Sequence, residues 1–455
     1  MFRIASLVAA LTIVSKILGL ARDLVIAHYF GTSVTSDAFN LAYMLTGNFF
    51  IVFGCIGGPF YSAIVASLPR VPENLKRRFL DNTIFKVTFA LVAVAGSFYF
   101  FKQPIISLFI DRGQQLDYYA TTLLHFDVLL PLIVLCGPIG ILFGVLNTYK
   151  KYYEPSLSPA VINIALIAAV MMMGDANSGI ALAIGTSVGA VLSFLLQVPS
   201  YSLIRSKFWK EPESLLGSQE KQSFQEIDEQ LMPIDKQEPS FDDVNSKYKE
   251  IFYPALLSTG MAQLMVFIDG FFCRGLEEGS WTALVMGNRL VQMPLGVLLT
   301  AFLVPLFPRI AELASQADYD GIKTNVRKAL KVVLAICIPG VIVGMLWTEE
   351  IVRLIFERGA FDARSTALLA SVFFYLCLSI IPYIFRDTVT RIFYSLGDSR
   401  TPLYVAIFAI LLKCVLNYFL VQAYAVVGIA ISTVVISLVN FSLLAILLRG
   451  KMGKL

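Results

Sequence analysis

Apolar runs of about 20 residues follow one another along almost the whole chain. Each is long enough to cross a hydrocarbon core of about 30 Å as a helix. Inside a bilayer every backbone N–H and C=O must find a partner within the protein, which leaves only helices and closed barrels. Barrel strands would show about ten residues of alternating polarity, and no such pattern is present. The chain therefore reads as an all-α polytopic membrane protein. A content of 57% hydrophobic and 15% charged residues excludes a soluble domain of 455 residues.

The runs predict helices near 5–29, 37–67, 84–101, 118–148, 156–173 and 178–204, and again near 252–275, 280–308, 328–347, 366–396, 402–422 and 426–448, about twelve in all. The first run is too long, and too charged, for a cleavable signal peptide. Lys and Arg fix the expected orientation. Arg70, Lys76–Arg78, Lys150–Lys151, Arg327–Lys331, Arg400 and Arg449–Lys454 fall on one side. The opposite loops are acidic or mixed, with Asp111–Arg112, Asp175, Glu277–Glu278 and Glu349–Glu350. Both termini are then cytoplasmic. The formal charge of +4 follows from this asymmetry and does not call for nucleic acid. Six cysteines lie in apolar runs without metal-ligand spacing and read as packing thiols.

Residues 205–250 interrupt the pattern with a polar stretch of seven Lys/Arg against eleven Asp/Glu, expected to be a disordered cytoplasmic linker. It separates a half at 1–204 from a half at 251–455. The halves resemble each other. Pro104–Gly113 matches Ile351–Gly359, each between its half's third and fourth helices, and Asp23 and Asp269 are 246 residues apart, as are Gly113 and Gly359. Six helices per half give a parallel repeat, which suits a transporter with its cargo site between the halves.

Charges inside the runs mark that site, because each costs at least about 2.5–3.5 kcal/mol at mid-bilayer. Arg22 and Asp23 sit deep in the first helix. They read either as an ion pair locking that helix to a neighbour or as part of an anion site. Lys16, six residues earlier and within about 120° around the helix, favours the second reading. Arg289 in Met286–Pro294 has no acidic neighbour in sequence and supplies the matching cation from the second half. Asp269 in the seventh helix, Lys413 and Asn417 on one face of the eleventh, and Thr433 in the twelfth form a second group. It reads as a cation site, as an Asp–Lys pair, or as unrelated polar residues. Asp37 opens the second helix, either as an N-cap or as part of the cargo site. His28 and His125 carry no assignable chemistry. No GxxxxGK[ST] loop is present, so a gradient or the membrane potential is the expected drive.

Ser15–Asp23, Tyr29–Gly31, Ser36–Phe39, Asn288–Gly296, Phe356–Gly359 and Phe393–Pro402 resemble the MurJ/MviN lipid II flippases of the multidrug/oligosaccharidyl-lipid/polysaccharide exporter superfamily. The resemblance covers most of the chain except the linker. It implies a V-shaped bundle with a central cationic cavity, in the bacterial inner membrane. It further implies flipping of a lipid-linked peptidoglycan precursor, without catalysis or a cofactor, beside membrane lipids and cell-wall synthesis proteins. Lys16, Arg22, Asp23, Asp37 and Arg289 match its substrate-binding positions, with Lys16 where Arg is usual. Asp269, Asn417 and Thr433 match a sodium site, where Lys413 replaces the usual neutral ligand and speaks against Na+ coupling. Two further departures are a second helix without basic residues in Asn48–Gly54 and about twelve helices where fourteen are usual. The competing functions are export of another lipid-linked oligosaccharide, small-molecule antiport, and a non-transporting membrane scaffold.

Overall fold

A computed structural model describes residues 2–55, 57–111, 115–174, 176–207, 241–299, 306–316 and 318–452. Arg112, Gly113, Asp175, Pro305 and the linker residues 208–240 lie outside the described residues. The first half contains α1 (Phe2–Phe30), α2 (Val34–Phe53), α3 (Pro59–Ser67), α4 (Glu73–Phe100), α5 (Lys102–Ser107), α6 (Leu116–Leu129), α7 (Pro131–Thr148), α8 (Tyr153–Met173) and α9 (Ala176–Lys207). The second contains α10 (Phe241–Phe272), α11 (Ser280–Leu298), α12 (Phe307–Ser315), α13 (Tyr319–Leu346), α14 (Thr348–Phe356), α15 (Ala363–Ser395) and α16 (Arg400–Met452). There is no strand among the described residues. Eight of the segments are long and apolar enough to cross a membrane. The long helices outside that set are α1, α2 and α11, which carry the charged and capping residues of the candidate site.

Several expected boundaries move, each for a local reason. The second run breaks into α2 and α3 around Gly57, whose φ of +86° is open to glycine, and Pro59 starts the new helix where its missing N–H costs nothing. The third helix begins at Glu73 and the seventh at Phe241, about ten residues ahead of their apolar runs. Apolarity reports what lies in lipid, whereas polar residues extend a helix into water without breaking it. The linker is correspondingly shorter than 205–250. Within α16, Ala425 at φ +48° turns the chain, and hydrogen bonding between Ser432 and Asn417 sets the limbs before and after it side by side. The short helices α5 and α14 occupy matching places in the two halves, after the third span of each. Asp362 caps α15 by accepting from the Ser365 N–H at 2.8 Å, which holds its carboxyl below the usual range.

The buried residues form one large cluster at the end of the bundle that carries the acidic loops. It mixes both halves, with Ala27, Phe30 and Phe39 beside Trp281, Leu284, Phe361 and Leu369. At the basic end the cores are separate. One gathers Phe60, Ile64, Phe79 and Val145 of the first half, and another gathers Ile310, Ile322, Phe393 and Leu448 of the second. The start of α10 belongs to the first-half core through Val244 and Tyr248: Phe252 stacks on Phe60, and Arg78 covers the Phe241 ring. Apart from α10, which joins the first-half core at the basic end, burial of apolar surface joins the halves at the acidic end.

Candidate functional site

Where α1 and α11 approach each other, Asp23 gathers two guanidiniums from opposite halves. Its Oδ1 accepts from Arg22 Nε at 3.0 Å and Nη2 at 2.8 Å, and from Arg289 Nη1 at 2.8 Å. Arg22 also donates through Nη1 to Asn163 Oδ1 of α8 at 3.1 Å, and Asn163 Nδ2 reaches the Ser15 carbonyl at 3.4 Å. Tyr43 of α2 lies within electrostatic reach of both arginines. The sequence reading of Arg289 as unpaired is corrected here. Its acidic partner is 266 residues away in sequence and comes from the other half. A buried guanidinium without a counter-charge would cost several kcal/mol, and the first half supplies that counter-charge to Arg289 of the second.

Lys16 joins from about 9 Å further along α1, given 1.5 Å per residue. A Cβ built on Gly296 of α11 would lie 3.3 Å from Lys16 Nζ. Gly296 is two turns beyond Arg289, so the antiparallel helices present a ladder of three cations with a single carboxylate. The Arg22 and Arg289 side chains remain 20% and 29% exposed. Such a ladder can bind an anionic group bidentately, with Asp23 competing for the same donors.

Asp37 lies apart from this cluster, and the reading of it as the cap of its own helix is corrected. Its own helix is capped by Ser33, which accepts from the Ser36 N–H. Asp37 instead caps α11 of the other half, accepting from the N–H of Gly279 at 2.8 Å and of Thr282 at 2.7 Å. The α11 N-terminus has no side-chain cap of its own, so a carboxylate from across the seam satisfies its free donors and its dipole.

Further ties line the same seam. Asn40 donates to Thr282 Oγ1 at 3.1 Å, Thr32 and Ser365 hydroxyls meet at 2.8 Å, and the Val34 N–H donates to Glu278 at 2.9 Å. The Ala360 N–H donates to the His28 carbonyl at 2.8 Å, so His28 acts through its backbone. Sequence reasoning missed Asn163, Asn40, Thr282 and Ser365. The available signal was a polar residue within an apolar run.

The close approach depends on glycine. Cβ atoms on Gly31, Gly279 and Gly359 would lie 2.3–2.5 Å from the backbone oxygens of Ala360, Thr32 and His28, and all three glycines have positive φ. Gly279→Ala should therefore force the seam apart. A reporter cysteine at Ala283, fully buried in the seam, should react with a membrane-impermeant maleimide at least about tenfold faster in that variant, since strain and clash together exceed about 1.4 kcal/mol. An unchanged labelling rate would contradict the packing described.

The remaining predicted residues do come together. Lys413 Nζ donates to Asp269 Oδ2 at 2.8 Å and to Thr433 Oγ1 at 3.2 Å, and Asn417 Nδ2 donates to Asp269 Oδ1 at 3.0 Å. Of the three sequence readings, the Asp–Lys pair is the one realised.

Fold and site together define a helical membrane transporter whose halves close over a shared ionic cluster. Two similar solved structures have this fold. One is described as lipid II flippase MurJ in an inward closed conformation, with 22% identity, a TM-score of 0.78, and coverage of 97% of this chain and 87% of that one. The other is an inward-facing multidrug resistance MATE family transporter of the MOP superfamily, at 14% identity and a TM-score of 0.69, with 98% of each chain covered. The chain belongs to the lipid II flippase MurJ family, whose family model matches residues 26–454. Relatives include a probable lipid II flippase MurJ of Synechocystis sp., 29% identical over 99% of this chain and 82% of that protein. Another is the lipid II flippase MurJ of Burkholderia cenocepacia, 24% identical over 99% and 84%.

Proposed function

We propose that this chain moves lipid II, a polyprenyl-diphosphate-linked peptidoglycan precursor, from the cytoplasmic to the periplasmic leaflet of a bacterial inner membrane. The observation that carries this reading is the Arg22–Asp23–Arg289 cluster. Two largely buried guanidiniums, one from each half, are held on one carboxylate oxygen with Lys16 close behind. A diphosphate fits that donor set, and its arrival would free Asp23 from both arginines.

The basic end, where the cores of the halves are separate, faces the cytoplasm, and the acidic end, where they share one core, faces the periplasm. Both termini are then cytoplasmic. A V-shaped cavity open toward the cytoplasm would admit the head group, while the seam around Asp37 closes the other side. Cargo that bridges the arginines would replace part of the energy holding the halves together and so allow the seam to part. The Asp23–Arg289 pair links the two halves directly, and this favours a carrier over a scaffold, which gains nothing from burying it.

The test is complementation. In a bacterium depleted of its own flippase, this chain should restore growth and clear the accumulated lipid-linked precursor. Normal membrane expression with continued precursor accumulation would overturn the reading in favour of another lipid-linked cargo. Drug efflux without any effect on precursor would point to antiport.

A further inference from the structure

We propose that the Lys413 ammonium is a built-in cation that takes the place of a diffusible monovalent ion, and that this chain works without Na+. Asp269, Thr433 and Asn417 surround one point between α10 and the two limbs of α16. A carboxylate, a hydroxyl and an amide would suit a small hard cation, but the residues present leave it no place. Lys413 Nζ already sits there, bonded to Asp269 Oδ2 and Thr433 Oγ1. The second Asp269 oxygen is held by Asn417 Nδ2, and the Asn417 oxygen accepts from the Ser432 hydroxyl. Lys413 is only 3% exposed and Asn417 fully buried, so the charge is neutralised within the protein and a bound Na+ would add an uncompensated one.

The location gives the tie a consequence. The start of α10 packs into the first-half core through Tyr248 and Phe252, while Asp269, near its other end, is bonded into α16 of the second half. This helix packs against both halves, and the cation that ties it to α16 is a side chain of the protein rather than a free ion. The tie then does not depend on an ion gradient. The point rests on the transport reading only for its role in the cycle; the ion-binding claim stands on the geometry alone.

The experiment uses the full-length purified protein without cargo. Its melting temperature is measured in NaCl and in choline chloride at equal ionic strength. The wild type should melt at the same temperature in both. Lys413→Ala leaves Asp269 without its counter-charge and opens space for an ion and water beside it. That variant should melt several degrees lower in choline chloride and recover in NaCl, and its rescue of a flippase-depleted strain should become Na+-dependent. The double variant Asp269→Ala/Lys413→Ala removes both charges and should be indifferent to Na+. Selective stabilisation of the wild type by Na+ would overturn the proposal, as would a Lys413→Ala protein that responds to Na+ no more than the double variant. If Lys413→Ala does not accumulate, the wild-type arm still decides. Loss of rescue with the melting pattern intact would count against the transport reading and leave the ion claim standing.

Discussion

Arg289→Ala and Arg22→Ala should each abolish rescue of a flippase-depleted strain while leaving the protein in the membrane at near-normal amounts. Each change removes a charge-assisted hydrogen-bond donor to a bound phosphate, a loss of about 1.5–3 kcal/mol, or roughly 10–150-fold in affinity. Each also leaves Asp23 with one guanidinium instead of two. Arg289→Ala cuts a direct ionic link between the halves, whereas Arg22→Ala frees Asn163 on α8. Lysine at 289 should restore activity only partly, because an ammonium offers no planar fork. Asp23→Ala should behave differently, binding the precursor more tightly and releasing it more slowly, since the competitor for both arginines is gone. Precursor binding to the purified variants is the deciding measurement. Arg variants that bind as the wild type does would remove the cationic cluster from the mechanism.

Asp37→Ala should open the acidic-end seam. The carboxylate makes two hydrogen bonds to the uncapped N-terminus of α11 from the other half, at 2.7–2.8 Å. With charge-assisted bonds at about 1.5–3 kcal/mol each, and water replacing part of them, a net loss of about 3 kcal/mol is expected. That shifts the closed-to-open ratio on the order of 100-fold. Labelling at Ala283→Cys from the acidic end of the bundle should rise accordingly, and transport should fall because the seam no longer stays closed. Asp37→Asn keeps one acceptor and should fall between the two. The contrast with Arg289→Ala is diagnostic: the Asp37 variant should retain precursor binding, because its carboxylate touches no part of the cationic cluster. If Asp37→Ala labels as slowly as the wild type, the cap does not hold the seam.

Much of this was legible in the residues themselves. Runs of about 20 apolar residues forced a helical membrane protein, because lipid offers no partner for an unpaired backbone. Mid-run charges singled out Lys16, Arg22, Asp23, Arg289, Asp269 and Lys413, because burial of a charge in lipid needs a compensating reason. Lys413 and Asn417 share a face by helical period alone. Helix ends were less legible, since α4 and α10 run on into polar sequence where hydropathy carries no signal. Pairing was legible only in part: the Asp269–Lys413 pair was among the readings, the Asp23–Arg289 pair was not. Arg289 has no acid near it in sequence, yet it bonds to Asp23. Asp37 has the position and chemistry of a cap for its own helix, yet it caps α11 of the other half. Local sequence determines which residues are too polar to face lipid and which segments become helices, because both depend on neighbours along the chain. Which charge neutralises which, and which helix end a carboxylate caps, depends on how the two halves dock across hundreds of residues, and only the tertiary structure decides that.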